Sequence, residues 1–117
     1  MVDICLDLHI RSAAYEAMPT FEALADPIRR DILALLRQGE QPAGALVQAL
    51  GLPQPRISKH LKTLRQAGLV RARIDGPRRL YSLDPIPLAE LDAWLAPYRV
   101  FWAEKLDALG DHLNRSD

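Results

Sequence analysis

The chain has 117 residues, enough for about one domain and little more. With 49% apolar and 26% charged residues it has the balance of an ordinary globular domain, and no stretch approaches the roughly 20 apolar residues of a membrane span. The acidic start (Asp3, Asp7) has the wrong polarity for a secretory signal, so a cytoplasmic protein is expected, and a single cysteine, Cys5, excludes an internal disulfide framework or a Cys-rich zinc site.

Residues 1–19 read as an N-terminal arm. Val2, Ile4, Leu6, Leu8 and Ile10 alternate with polar positions, a strand-like period of two, before a helical stretch from Ser12 to Met18. Residues 20–117 read as one domain. Its first helix is short, Phe21 to Ala25. Asp26-Pro27 is an N-cap followed by proline at the first helical position, opening a second helix. The apolar stripe of that helix is Ile28, Ile32, Leu35 and Leu36, and Gly39 is its expected C-cap. Pro42 opens a third helix, with Leu46, Val47 and Leu50 at helical spacing, closed by Gly51. Gly51-Leu52-Pro53 is a tight turn into a fourth helix, Gln54 to Ala67, stopped by Gly68.

Two strands, Leu69–Ile74 and Arg79–Leu83, alternate apolar with polar residues across an Asp75-Gly76-Pro77-Arg78 hairpin turn. Pro85 and Pro87 are read as a stiff connector. Beyond them Leu88, Leu91, Leu95, Tyr98 and Trp102 recur at spacings of 3 and 4, continued by Leu106, Leu109 and Leu113. This is a long helix with a coiled-coil-like seam, expected to bend near Pro97. Helices, a tight turn between the third and the fourth, and a two-stranded hairpin after the fourth make a winged helix-turn-helix: mostly α with a small β-hairpin.

Charge is concentrated in that region. The net charge is zero, yet residues 53–82 hold eight basic residues against one acid (Asp75), a surplus of +7 balanced by −7 elsewhere. A basic third on an acidic body points to a polyanion such as duplex DNA. In the fourth helix, Ile57, Leu61 and Leu64 fall within about 60° of one another at helical spacing and hold it on the core. Gln54, Ser58, Lys62 and Arg65 share another face, extended by Arg56 and Lys59. Residues near the start of such a helix come closest to the bases, which assigns Gln54 and Arg56 to base edges. Ser58, Lys59 and Lys62 are assigned mainly to phosphates. His60 borders the apolar arc and reads as a half-buried structural residue. Arg78 and Arg79, just past the hairpin bend, are assigned to the backbone or adjacent minor groove. Arg71 and Arg73 both alternate outward, and the sequence leaves open which of them contacts phosphate.

The run Phe21-Glu22-Ala23-Leu24-Ala25-Asp26-Pro27-Ile28-Arg29-Arg30-Asp31-Ile32-Leu33 resembles the opening of ArsR-type (ArsR/SmtB superfamily) repressors. Residues 51–70 resemble the recognition helix of that family, and Gly76-Pro77-Arg78-Arg79-Leu80-Tyr81-Ser82-Leu83 its wing. The resemblance is close from about Thr20 to Leu83 and looser in the last helix. It implies a homodimer that sits on promoter DNA, represses, and releases when an inducer binds.

The family's metal sensors carry Cys in the third helix or Asp and His on the last. Here the third helix has neither Cys nor His, and the last offers Glu90, Asp92, Glu104, Asp107 and Asp111 with one imidazole, His112. No metal site, and no cofactor, is expected. Four of the seven aromatics, Trp94, Tyr98, Phe101 and Trp102, sit instead within nine residues of the last helix. With Leu106 and Leu109 they are read as a dimer interface; the alternative is a pocket at the dimer seam for an apolar small-molecule effector. Trp94 to Arg99 is similar to a segment in a subgroup without known metal ligands that resembles constitutive or autoregulatory repressors. Two rival classes remain. A winged-helix module that binds only protein is disfavoured by the +7 window. An enzyme is disfavoured because no Ser-His-Asp, Cys-His or phosphate-cradling loop is available, so no catalytic residue is assigned.

Overall fold

A computed structural model describes residues 19–115. The expected N-terminal arm, with its alternating run and Cys5, lies outside the described residues apart from its last position.

Residues 19–24 are helical (α1), slightly earlier than Phe21–Ala25. Helix α2 is Pro27–Leu36, with Asp26 extended at the N-cap and Pro27 in the first turn, as the sequence requires. The Asp26 carboxylate accepts from the backbone N–H of Ile28 at 2.8 Å and of Arg29 at 3.3 Å. Arg29 reaches back in turn, its Nε to the carbonyl of Ala23 (2.7 Å) and its Nη2 to that of Glu22 (2.9 Å), so α1 and α2 are tied end to start. The C-cap of α2 is Arg37 rather than Gly39. Gly39 follows with φ +147, its N–H on the Leu36 carbonyl, so the glycine serves the turn and not the cap. Leu33, absent from the expected stripe, is buried, while Ile28 and Leu35 are only partly so.

A strand that the sequence did not announce comes next: β1, Gln41–Pro42. Helix α3 (Ala43–Leu50) ends on Gly51 in the left-handed region, and α4 (Gln54–Gln66) begins at an extended Pro53. The end of α4 is a Schellman motif. Gly68 N–H bonds the Arg65 carbonyl and Leu69 N–H the Leu64 carbonyl, each at 3.0 Å, with Gly68 at φ +78. That motif turns the chain directly into β2 (Val70–Asp75), which pairs with β3 (Arg78–Leu83). Gly76 at φ +61 followed by Pro77 makes a two-residue turn of the type that matches strand twist. The sheet is three-stranded and antiparallel, in the order β1-β3-β2, so the expected hairpin is one half of it.

The core joins Ile32 and Leu36 of α2, Leu46 of α3, Ile57, Leu61 and Leu64 of α4, and Leu69, Val70 and Tyr81 at the sheet. Burying the α4 trio contributes about 1.5–3 kcal/mol per side chain. That fixes which face of α4 is left for solvent.

Helix α5 (Ile86–Arg115) starts earlier than expected, because the Asp84 carboxylate accepts from Ile86 N–H at 3.0 Å and caps it. Pro87 therefore sits in the first helical turn and not in a connector. Pro97 lies inside the helix, which is continuous across it. At its root Leu88 packs on the core, and a Cβ added to Gly68 would come 3.7 Å from Pro87 Cγ.

Candidate nucleic-acid interface

The burial of Ile57, Leu61 and Leu64 turns the opposite arc of α4 outward. Gln54, Arg56, Ser58, Lys59, Lys62 and Arg65 are all exposed, and His60 is half-buried at the border as expected. Asp26 of α2 is close enough to the His60 side for the two to interact electrostatically. Burial pushes the Asp26 carboxyl up, but hydrogen bonds from the Arg29 and Ile28 amides and the charges of His60 and Arg29 bring it below its usual range.

Strand register sorts the wing. Val70, Ala72, Ile74 on β2 and Leu83, Tyr81, Arg79 on β3 share one face, the face that reaches the core through Val70 and Tyr81. Arg71, Arg73, Asp75 and their partners Ser82, Leu80, Arg78 share the other. Arg79 thus lies on the α4 side with Ile74, whereas Arg78 lies on the far face, 3.4 Å from Asp75. Between the C-terminal half of α4 and β2 runs an open groove of about 600 Å³ lined by Lys62, Arg65, Gln66, Val70, Arg71 and Ala72. Three cations on one trough suit a polyanion. Arg65 and Gln66 belong to this groove although neither was among the assigned contact residues. Arg65 shares the polar stripe of the helix, which was signal enough to include it.

The +7 surplus overstates the free charge. Arg71 donates through Nε to Asp84 at 2.9 Å. Arg73 donates through Nε and Nη2 to both carboxylate oxygens of Glu40, at 2.9 and 2.7 Å. The pairing lowers the Glu40 carboxyl below its usual range, chiefly through the Arg73 hydrogen bond, and raises Arg73 correspondingly. Asp84 is also lowered, first by the Ile86 amide; burial opposes this, and Arg71 adds to it. Among the described residues Arg56, Lys59, Lys62, Arg65 and Arg79 have no such carboxylate partner. Within residues 53–82 the cations without a carboxylate partner among the described residues are therefore those of α4 and Arg79 on the wing.

Residues 26–72, from the N-cap of α2 to the second strand, match the family model described as bacterial regulatory protein, arsR family. The HTH-type transcriptional regulator Rv2034 of Mycobacterium tuberculosis is 39% identical over 95 residues, which are 78% of this chain and 89% of that protein. The chain belongs to the ArsR family. Another relative, the transcriptional repressor SdpR of Bacillus subtilis, is 36% identical over 75 residues, covering 64% of this chain and 83% of that protein. Among solved structures, an ArsR-like transcriptional regulator from Rhodococcus sp. RHA1 shares the fold with a TM-score of 0.69 at 28% identity, over 86% of this chain and 94% of that one. As an ArsR-family protein the chain is a DNA-binding transcriptional regulator of winged helix-turn-helix architecture.

The aromatic cluster of α5 divides. Trp94 meets Phe21 of α1 edge-on at 5.3 Å and so ties α5 to α1 within the chain, while Tyr98 packs on Trp94 within α5 at 5.0 Å. Phe101 carries Lys105 over its ring at 5.5 Å. Trp102, Leu106 and Leu109 are about half exposed or more. Among the described residues no helix is long and apolar enough to cross a membrane.

Proposed function

We propose that this chain acts as a homodimeric repressor, each protomer inserting α4 into the major groove of promoter DNA. Gln54 and Arg56, in the first turn of α4, read base edges. Ser58, Lys59 and Lys62 hold phosphates, and Arg65 joins them along the groove. On the wing Arg79 is the leading backbone contact, with Arg78 outside it. The observation that carries this reading is the cationic arc of α4, exposed and without carboxylate partners among the described residues, continuous with the groove to β2. Repression, rather than activation, is supported by the naming of the SdpR relative.

Trp94, Tyr98, Phe101, Trp102, Leu106 and Leu109 form the dimer seam along α5. A second copy is the natural cover for so much apolar surface on a helix that otherwise stands off the body.

Footprinting on the intergenic DNA upstream of its own gene tests the proposal. Two protected half-sites separated by about 10 base pairs or a multiple of that are expected, with affinity falling steeply in log[salt]. Binding that is absent, or indifferent to salt, contradicts it. So does a protein that sediments as a monomer at micromolar concentration.

A further inference from the structure

The two outward arginines of β2 are chemically alike in the sequence and different in the fold. Arg73 spends its guanidinium fork, Nε and Nη2, on both oxygens of Glu40. Such a bidentate pair fixes geometry as well as charge. Arg71 uses only Nε, on Asp84, and its two terminal nitrogens have no partner among the described residues. Arg71 also lines the groove beside Lys62 and Arg65, and Arg73 does not.

Where the Arg73–Glu40 pair lies matters more than its strength. Glu40 directly precedes β1, so the pair joins the two outer strands across β3. The residue of β3 in register between them is Leu80, opposite Pro42 on one side and Arg73 on the other. Leu80 is only 7% exposed, yet among the described residues it is the one buried apolar residue that does not join the main core. Its register puts it on the sheet face of Arg73, away from Tyr81. An arginine stem drawn across that face by a carboxylate beyond it is a cover for such a side chain.

We infer that Arg73 and Glu40 form a clamp that positions the wing over its satellite apolar residue, and that Arg71 is the strand's phosphate contact. The inference rests on the DNA-binding reading. It assigns different work to the two arginines. The pair with Glu40 fixes the angle at which β2 and Arg79 leave the body; without it the wing must be ordered on binding, which weakens affinity while Arg79 still reaches its phosphate. The Asp84 carboxylate holds Arg71 by one edge and leaves the terminal nitrogens directed by, but not consumed in, that bond.

The test is a titration of a fluorescein-labelled mixed-sequence duplex of about 30 base pairs, followed by anisotropy at several salt concentrations. The variants are Arg71→Gln, Arg73→Gln, Glu40→Ala and the Glu40→Ala/Arg73→Gln double, each checked by thermal melting to be folded at the assay temperature. The parent protein should bind with a steep salt slope; if it does not bind at all, the DNA-binding reading fails and not the clamp. Arg71→Gln should lower the log-log slope by about 0.9, the value of one phosphate. Arg73→Gln should weaken binding several-fold with the slope unchanged. Glu40→Ala should weaken it equally, although removing an anion would by simple electrostatics tighten it. The double should be no weaker than the single variants. Tighter or unchanged binding by Glu40→Ala, a slope lowered by Arg73→Gln, or a slope unaltered by Arg71→Gln would each overturn the assignment.

Discussion

Helices α4 and α5 both present long surfaces to solvent, and the surfaces are opposite in kind. In α4 the apolar residues Ile57, Leu61 and Leu64 are consumed by the chain's own core, and what remains outside is amide, hydroxyl and cation. In α5 only the root, with Leu88, packs on that core, and farther along Trp102 is 49% and Leu106 65% exposed. A helix whose apolar arc is already satisfied is free to offer a polar face to a polar ligand. A helix whose apolar arc is bare requires a cover, and a second copy can supply one without adding any new surface type. Recognition and assembly are thereby separated onto two helices, linked through the wing and the Asp84 cap.

The contrast is broken most severely by a truncation in α4. Leu61→Ala should destabilise the folded chain by about 2–5 kcal/mol, since Leu61 is 1% exposed within the core that α2, α3, α4 and the sheet share. Thermal or urea unfolding measures it. In α5, Leu106→Ala should change monomer stability by less than about 0.5 kcal/mol, because the side chain has little contact to lose. If the two variants lost similar stability, the difference between the helices would be unfounded.

Next in size is the effect of Trp102→Ala combined with Leu106→Ala on assembly. Two linked half-site contacts bind far more tightly than one, so shifting the protein to monomer should cost about 10²-fold or more in operator affinity. Sedimentation and footprinting should move together. Dimer loss with unchanged DNA affinity would separate assembly from recognition and refute the coupling.

A smaller effect distinguishes residues within α4. Arg56→Ala should cost about 1–3 kcal/mol on the preferred sequence and little on others, a loss of discrimination. Lys62→Ala should weaken all duplexes alike and reduce the salt slope by about 0.9. Titration of both variants against matched and scrambled duplexes decides it, and indistinguishable profiles would contradict the assignment of bases to one and phosphates to the other.

These sites were legible to different depths for identifiable reasons. Caps, the Gly51 and Gly68 terminations and the alternation of apolar arcs are local, so the helix-turn-helix and the α4 face could be read directly. Strand β1 could not: Gln41–Pro42 is too short to show a period, and it is a strand only because β3, forty residues on, comes to lie beside it. The ion pairs failed for the same reason. Glu40 and Asp84 lie 33 and 13 residues from their arginines and outside the basic window, so a count within that window could not register them. Leu33 was missed because α2 is buried on two sides, against α4 and against the sheet, and a single stripe describes only one of them.

The subtlest expected effect concerns the flank of α4 that faces α2. Asp26 caps α2 through the Ile28 and Arg29 amides and lies within electrostatic reach of His60. Its carboxyl is held below its usual value near 3.8 in the folded chain. In the unfolded chain it regains that value, so the unfolded state takes up the proton first as pH falls. The stabilisation is therefore complete above about pH 5 and is lost as pH drops through the unfolded and then the folded value. Asp26→Asn keeps a capping oxygen and removes the charge. The difference in Tm between the two proteins should be constant from pH 7 to about 5, then shrink towards pH 3. Glu40 and Asp84 titrate in both proteins and cancel from that difference. A gap that stayed constant to pH 3 would mean that Asp26 caps α2 as a hydrogen-bond acceptor alone, with its charge contributing nothing to how α2 meets α4.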